Sequence, residues 1–282
     1  MAEVPLSRLL RLHRRAAVTL PQTDFLHRQL REELLSRLPF ARLEPRLVLD
    51  LGSGPGGAFA ALANRFPGAR LVGLDHAPEM LLAAGQDAAQ RVCGDANRLP
   101  LPDQSVDLVF CNLLLAYCHS PVPVLAEVRR VLRRPGLFLF STLGPDTLAE
   151  LRAAWTEADH YTHVVRFPDM HDLGDLVVRA GLAEPVLDRE TLQVSYADID
   201  AVRADLRAAG SINRTAGRNP GLTGSAAGRK FRAALDRRRD ADGRLALTVE
   251  VVYGQAWAAA DSDPASGNET AIPIDAIRRR GP

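Results

Sequence analysis

This 282-residue chain has little that would tie it to a disulfide framework, a metal or a membrane. It has three cysteines, Cys93, Cys111 and Cys118, and no C-x-x-C pair. An odd, sparse set offers neither paired bridges nor a thiolate metal site and suits a reducing cytoplasm, so no metal is expected. Charge of one sign is also missing. The 35 Lys and Arg nearly cancel the 34 Asp and Glu, which argues against a nucleic-acid binder with a broad basic face. No apolar run approaches the length of a membrane span, and no apolar h-region follows Met1, so neither a span nor a secretory signal is expected. Internal repeats are absent. The apolar run Asn112–Tyr117, flanked by Cys111 and Cys118, reads as a place for buried structural thiols rather than a nucleophile.

What the chain does have is a strand that runs straight into glycine. Leu47-Val48-Leu49-Asp50-Leu51 leads into Gly52-Ser53-Gly54-Pro55-Gly56-Gly57, with four glycines in six positions. Such a loop between a strand and a helix lets a nucleotide-like ligand approach the backbone. Two spacings fit. Gly52, Gly54 and Gly57 satisfy the dinucleotide pattern G-x-G-x-x-G, and Asp50, Gly52, Gly54 and Gly56 satisfy D-x-G-x-G-x-G. The glycines alone do not choose.

The surrounding rhythm is strand then helix. A helix over Leu26–Leu38 ends at Pro39. Strands follow at 47–51, 70–74, 89–93, 106–111 and 137–142, with helices at 58–65, 78–86 and 123–132 between them. Short apolar strands alternating with helices predict a parallel sheet covered on both faces, with ligands outside the carboxyl ends of its strands. After Thr142 the pattern changes. Helices are expected over 146–158, 171–180, 198–209 and 231–239, and strands over 185–196 and 245–258. Gly181 reads as a helix stop, and His171-Asp172 as a helix-opening cap. The expected organisation is an N-terminal helical arm over 1–40, one domain over 41–258 with lid insertions at about 144–180 and 198–240, and a disordered tail over 259–282.

Three further segments bear on the ligand. Asp75 ends the second strand 21 residues after Gly54, where a carboxylate accepts ribose hydroxyls. Cys93-Gly94-Asp95-Ala96-Asn97-Arg98-Leu99-Pro100 follows the third strand, and Ser105-Val106-Asp107-Leu108-Val109-Phe110-Cys111-Asn112 forms the fourth. Together with the D-x-G-x-G-x-G loop and Val131-Leu132-Arg133-Arg134-Pro135-Gly136, these resemble the class I S-adenosylmethionine (SAM) methyltransferases. The resemblance implies a Rossmann-like α/β fold with a mostly parallel seven-stranded sheet, helices on both faces and an inserted helical lid. It also implies a SAM site at Asp50, Gly52, Ser53, Gly54, Gly56, Asp75, His76, Asp95, Ala96 and Asn112. On this reading Gly57 is an incidental extra glycine, and Asp50 meets the amino group of the methionine moiety.

The acceptor is written later in the chain. Phe140–Arg152, His163–Asp175, Asp205–Asn213, Leu222-Thr223-Gly224 and Leu247–Gly254 resemble the malonyl-acyl-carrier-protein O-methyltransferases of biotin synthesis. The resemblance implies methylation of the free carboxylate of a malonyl thioester on acyl carrier protein, or on coenzyme A. With the balanced charge and the lack of a long apolar run, no nucleic-acid or membrane partner is expected, and a cytoplasmic monomer is expected. Arginine binds carboxylates bidentately, so Arg166 and Arg152 are candidates for the clamp, with His163 as a neighbouring donor. A solvated helix face for Arg152 and a packing role for His163 are the plain alternatives. Arg214, Arg218, Arg229 and Lys230 could dock an acidic carrier protein. Two places depart from that family. Leu20-Pro21 stands where a Tyr-Asp pair is common, and Ala116-Tyr117 replaces Gln-Trp. The arm is also similar to a sister group of complex I assembly factors that hydroxylate an arginine, and a non-catalytic SAM-binding scaffold is a third reading.

Overall fold

A computed structural model describes residues 24–38, 43–83, 89–208, 213, 215 and 217–258. The arm before Asp24 with Leu20-Pro21, the tail from Ala259, and Arg214 lie outside the described residues.

Seven strands form one sheet in the order β3-β2-β1-β4-β5-β7-β6. Parallel strands β1 (Leu47–Leu51), β2 (Arg70–Asp75), β3 (Gln90–Cys93), β4 (Val106–Asn112) and β5 (Leu132–Leu143) make up most of it. The last strand, β7 (Leu245–Ala258), runs antiparallel to both β5 and β6 (Leu182–Tyr196). The sheet is therefore seven-stranded and mostly parallel, as expected. The strand order reverses between β1 and β4, which opens a crevice at their carboxyl ends. Asp50 and Asn112 stand on either side of it.

Alternation along the strands sorts the core into two layers. Leu49, Leu51, Val109, Cys111, Phe138 and Phe140 share one cluster with Val124 and Val128 of α5 (Val122–Val131) and Leu173 and Val177 of α7 (Met170–Arg179). Val48, Leu108, Phe110, Leu137 and Leu139 meet Leu30 and Leu34 of α1 (Phe25–Ser36) and Phe59 and Leu62 of α2 (Phe59–Arg65) on the other side. Each fully buried Leu or Phe contributes about 1.5–3 kcal/mol relative to exposure. The seat of α2 depends on Gly73 in β2, where a Cβ would lie 2.2 Å from the Phe59 ring. Two short helices complete this part of the chain, α3 (Pro78–Ala83) and α4 (Leu114–Tyr117).

The last two strands are longer than the sheet needs. β5 pairs with β7 only from Val251 to Trp257, while β6 follows β7 on to Leu245. The two-stranded ribbon beyond β5 carries a separate small core. Leu245 and Leu247 pack there with Leu151 and Ala154 of α6 (Ala149–Thr156), Ile199 and Val202 of α8 (Ile199–Ala208), and Phe231 and Leu235 of α9 (Ser225–Asp236). Three expectations are corrected. Helix α7 belongs to the main sheet layer rather than to a lid, because its Leu173 and Val177 are buried against α5. Helix α9 starts at Ser225 rather than Phe231, the helix-favouring Ala226-Ala227 outweighing Gly228. The cap of α7 is Asp169, which accepts the Asp172 N–H at 2.8 Å, so His171-Asp172 is inside the helix. Gly181 ends that helix with φ +83°, as expected.

Candidate active site

The glycine loop folds as the strand-end pattern requires. Gly52, Gly54 and Gly56 all have positive φ, and the Gly56 N–H closes a turn on the Ser53 carbonyl at 2.9 Å. Gly52, Ser53 and Gly54 line a cleft of about 130 Å³ together with Asp50, Asp75, His76 and Asn112. Gly56 shapes the loop from outside the lining. Gly57 also lines the cleft, and a Cβ there would lie 2.5 Å from the Arg31 guanidinium, so a larger residue would displace the end of that side chain.

Arg31 is a cleft residue that reading along the chain misses. It reaches the cleft from α1, paired with Asp24 at 3.1 Å. Asp50 faces the same space, only 3% exposed, with no hydrogen-bond partner for its Oδ2 among the described residues. Burial pushes the Asp50 carboxyl up to about 7, Arg31 opposing the shift and Asp75 reinforcing it. The Ser53 hydroxyl is likewise buried without a partner. An unpaired buried carboxylate beside a guanidinium, bordering a glycine cradle, fits a zwitterionic amino-acid end such as that of SAM.

Asp75 accepts the Gly54 N–H onto Oδ2 at 3.0 Å and the Ala77 N–H onto Oδ1 at 2.9 Å. A carboxylate has about four lone-pair sites, so two remain for ribose hydroxyls. His76 Nδ1 lies 3.6 Å from Asp75 Oδ1. Asp95 and Ala96 lie outside the cleft lining. Asp95 is exposed, its Oδ1 taken by the Asn97 N–H and side-chain amide, and Ala96 packs toward the main core. Asn112 does line the cleft, but its side chain is already occupied. Its Oδ1 accepts the Ser141 hydroxyl at 2.8 Å, and its amide donates to the His27 carbonyl at 3.4 Å, which ties α1 to the end of β4.

Beside the cleft lies a larger, mainly apolar cavity of about 520 Å³ under the lid. His27, Leu113 and Tyr117 line both spaces, so this is where the two meet. Leu113 holds φ +64°, a strained conformation for a Leu and of the kind that concentrates at working sites. The Tyr117 hydroxyl lies 3.5 Å from His27 Nε2, and burial lowers the His27 imidazole below its ordinary range, with Asp24 opposing and Arg31 reinforcing.

The three acceptor candidates separate in the structure. His163 lines the cavity, with its Nε2 2.9 Å from Asp159 Oδ1 and its ring stacked on Trp155 at 3.6 Å. Trp155 stacks in turn on Phe231 at 4.0 Å. Arg152 does not enter the cavity. Its guanidinium donates to the carbonyls of Pro145 and Thr147, both at 3.0 Å, and braces the turn before α6. Arg166 is exposed and also absent from the lining. The structure does not bring these two arginines together at the cavity: Arg152 donates from Nη2 to backbone carbonyls, its Nε buried without a partner among the described residues, and Arg166 faces solvent.

Cys111 is buried, and burial raises its thiol well above the ordinary range, which excludes a ready nucleophile. Cys118 is part-buried and Cys93 is exposed. Among the described residues no cluster of side chains could hold a metal ion, and no helix is long and apolar enough to cross a membrane. Of the basic cluster, Arg229 and Lys230 are exposed on α9, and Arg218 donates to the Thr215 carbonyl.

Comparison with known proteins agrees with this geometry. Residues 49–140 match the family model of a methyltransferase domain. The chain is 45% identical over 256 residues to the malonyl-[acyl-carrier protein] O-methyltransferase of Laribacter hongkongensis, covering 86% of each chain. It is 42% identical over 254 residues to the enzyme of that name from Gallionella capsiferriformans, covering 86% of this chain and 87% of the other. Among solved structures, the YcgJ protein of Bacillus subtilis superposes with a TM-score of 0.58 at 18% identity, over 81% of this chain and 99% of that one, a likeness of fold. The chain belongs to the malonyl-[acyl-carrier protein] O-methyltransferase family, whose members are SAM-dependent enzymes.

Proposed function

We propose that the chain methylates the free carboxylate of a malonyl thioester carried on acyl carrier protein, giving the methyl ester that masks its charge for chain elongation in biotin synthesis. The observation that carries this reading is the junction at His27, Leu113 and Tyr117, where a charged cleft for the donor opens into an apolar cavity for the acceptor. Bound SAM supplies an electrophilic methyl group on a sulfonium centre. Asp50 and Arg31 would hold its amino-acid end by charge and Asp75 its ribose, with His76 beside it; Asp95 and Ala96, outside the cleft lining, would meet at most the outer edge of its adenine.

The acceptor needs no base, because a carboxylate carries no proton at neutral pH. It needs orientation and removal of water. His163, held by Asp159 and Trp155, lines the cavity as the candidate to position the acceptor, and the apolar walls exclude water around it. The same walls favour the uncharged ester over the charged acid, which favours methyl transfer within the cavity. Arg166 stays a candidate for the cavity mouth, and Arg152 is assigned to bracing α6. The arginine-hydroxylase and scaffold alternatives are not supported by relatives of this identity and coverage.

Purified protein incubated with SAM and malonyl-acyl carrier protein should yield the monomethyl ester by mass spectrometry, and the gene should restore growth of a biotin auxotroph lacking this step. Absence of any methylated thioester would overturn the reading.

A further inference from the structure

The acceptor cavity is larger and more apolar than a malonyl group needs, and its far wall carries charge. On α8, Ile199, Val202, Arg203 and Leu206 fall at helical spacing and line the cavity. On α9, Ser225, Gly228, Phe231 and Arg232 do the same. Each helix thus places one arginine at the border of an apolar stripe. The two guanidiniums converge on one carboxylate: Asp200 Oδ1 is 3.4 Å from Arg203 Nη1 and 3.6 Å from Arg232 Nη2. The side chains of Arg203 and Arg232 are half exposed and that of Asp200 is 69% exposed, so their stems cover the cavity rim while the charged ends stay in water. The charges of Arg203, Arg232, Asp200 and Asp205 balance formally, but the two guanidiniums carry more N–H donors than the single Asp200 oxygen between them accepts. Asp205, also in the lining, is engaged by the Tyr196 hydroxyl at 3.0 Å. A Cβ at Gly224 or Gly228 would meet nothing within 4 Å, so the first turns of α9 leave open space beside them.

We infer that Arg203 and Arg232 form the entry site for the phosphate of a 4′-phosphopantetheine arm, with the arm lying through the cavity toward the junction at Tyr117. This rests on the thioester reading above and specifies where its carrier enters. A phosphate group offers oxygens to both guanidiniums at once, and it is shared by carrier-protein and coenzyme A thioesters.

The test is binding of 4′-phosphopantetheine against pantetheine by calorimetry, followed by kinetics with three malonyl thioesters. Wild-type protein should bind the phosphorylated arm about tenfold or more tightly than pantetheine, as expected for charge-assisted hydrogen bonds. The double variant R203Q/R232Q should lose that difference. In kinetics it should raise KM about tenfold for malonyl-acyl carrier protein and for malonyl-coenzyme A, leaving kcat and the KM for malonyl-pantetheine unchanged. Retained activity on malonyl-pantetheine also shows that the variant folds. Equal affinity of the wild-type protein for the two arms overturns the inference. So does an equal KM rise for all three substrates, or a rise confined to the carrier protein, which would mean protein docking instead. The binding step needs no methyl transfer, so it still decides the matter if wild-type protein methylates no malonyl thioester. That last result would overturn the acceptor reading alone.

Discussion

The Asp75 carboxylate accepts the Gly54 N–H at 3.0 Å, so the acid at the end of β2 holds the glycine loop after β1 as well as facing the donor cleft. One side chain thereby couples the shape of the cradle to recognition of what lies in it.

Asp75→Ala should weaken SAM binding by roughly 1.5–3 kcal/mol, the worth of hydrogen bonds to a charged acceptor, as measured by calorimetry. Asp75→Asn keeps one acceptor oxygen and should lose less. Unchanged affinity in the Ala variant would place the ribose elsewhere.

Arg31→Met should raise the dissociation constant for SAM by about tenfold or more while leaving that for 5′-methylthioadenosine, which lacks the amino-acid end, unaltered. Equal weakening of both ligands would show that Arg31 acts only by holding α1 against the loop.

Asp50 carries a pH dependence of definite sign. Its carboxyl stands at about 7 in the folded protein against an ordinary 3.8. As pH rises from about 4 the unfolded chain gives up that proton first, so the stability of the ligand-free protein should fall up to about pH 7 and then level. The affinity for SAM should rise across the upper part of the same window, as the carboxylate ionises to meet an ammonium group. Asp50→Asn should flatten both profiles, in thermal melts and in calorimetry. A wild-type affinity constant from pH 6 to pH 8 would contradict the pairing.

His163→Ala and Arg152→Ala should fail in different ways. The His163 variant should lose roughly tenfold or more in kcat/KM for the malonyl thioester while its KM for SAM holds. The Arg152 variant leaves the Pro145 and Thr147 carbonyls without their donor, so it should lose about 1–3 kcal/mol of stability, read as a lower Tm. An Arg152 variant with full stability and a raised acceptor KM would return that residue to the clamp.

Much of the donor site was legible because it is local. A strand ending in Asp50, a loop that must take positive φ, and Asp75 closing the next strand are all set by short-range chemistry, and six of the seven strands lie within a few residues of their expected ends. β5 is the exception, beginning at Leu132 rather than 137. The cleft residues that reading missed, Arg31 and His27, reach the cleft only because Leu30 and Leu34 bury α1 against β4 and β5. Asn112 shows the same limit from the other side: its place at a strand end was readable, its engagement with Ser141 and His27 was not.

The sequence by itself determined the strand–helix alternation, the class of donor and the family of the acceptor, because each rests on residue types at fixed spacing along a few contiguous segments. Only the tertiary structure decided which lid residues face the cavity. The β6–β7 ribbon runs past β5 and seats α6, α8 and α9 around one cavity, turning His163 inward, tying Arg152 to backbone carbonyls and leaving Arg166 in solvent. Those orientations depend on contacts between segments far apart in the chain, and spacing within a segment carries no record of them.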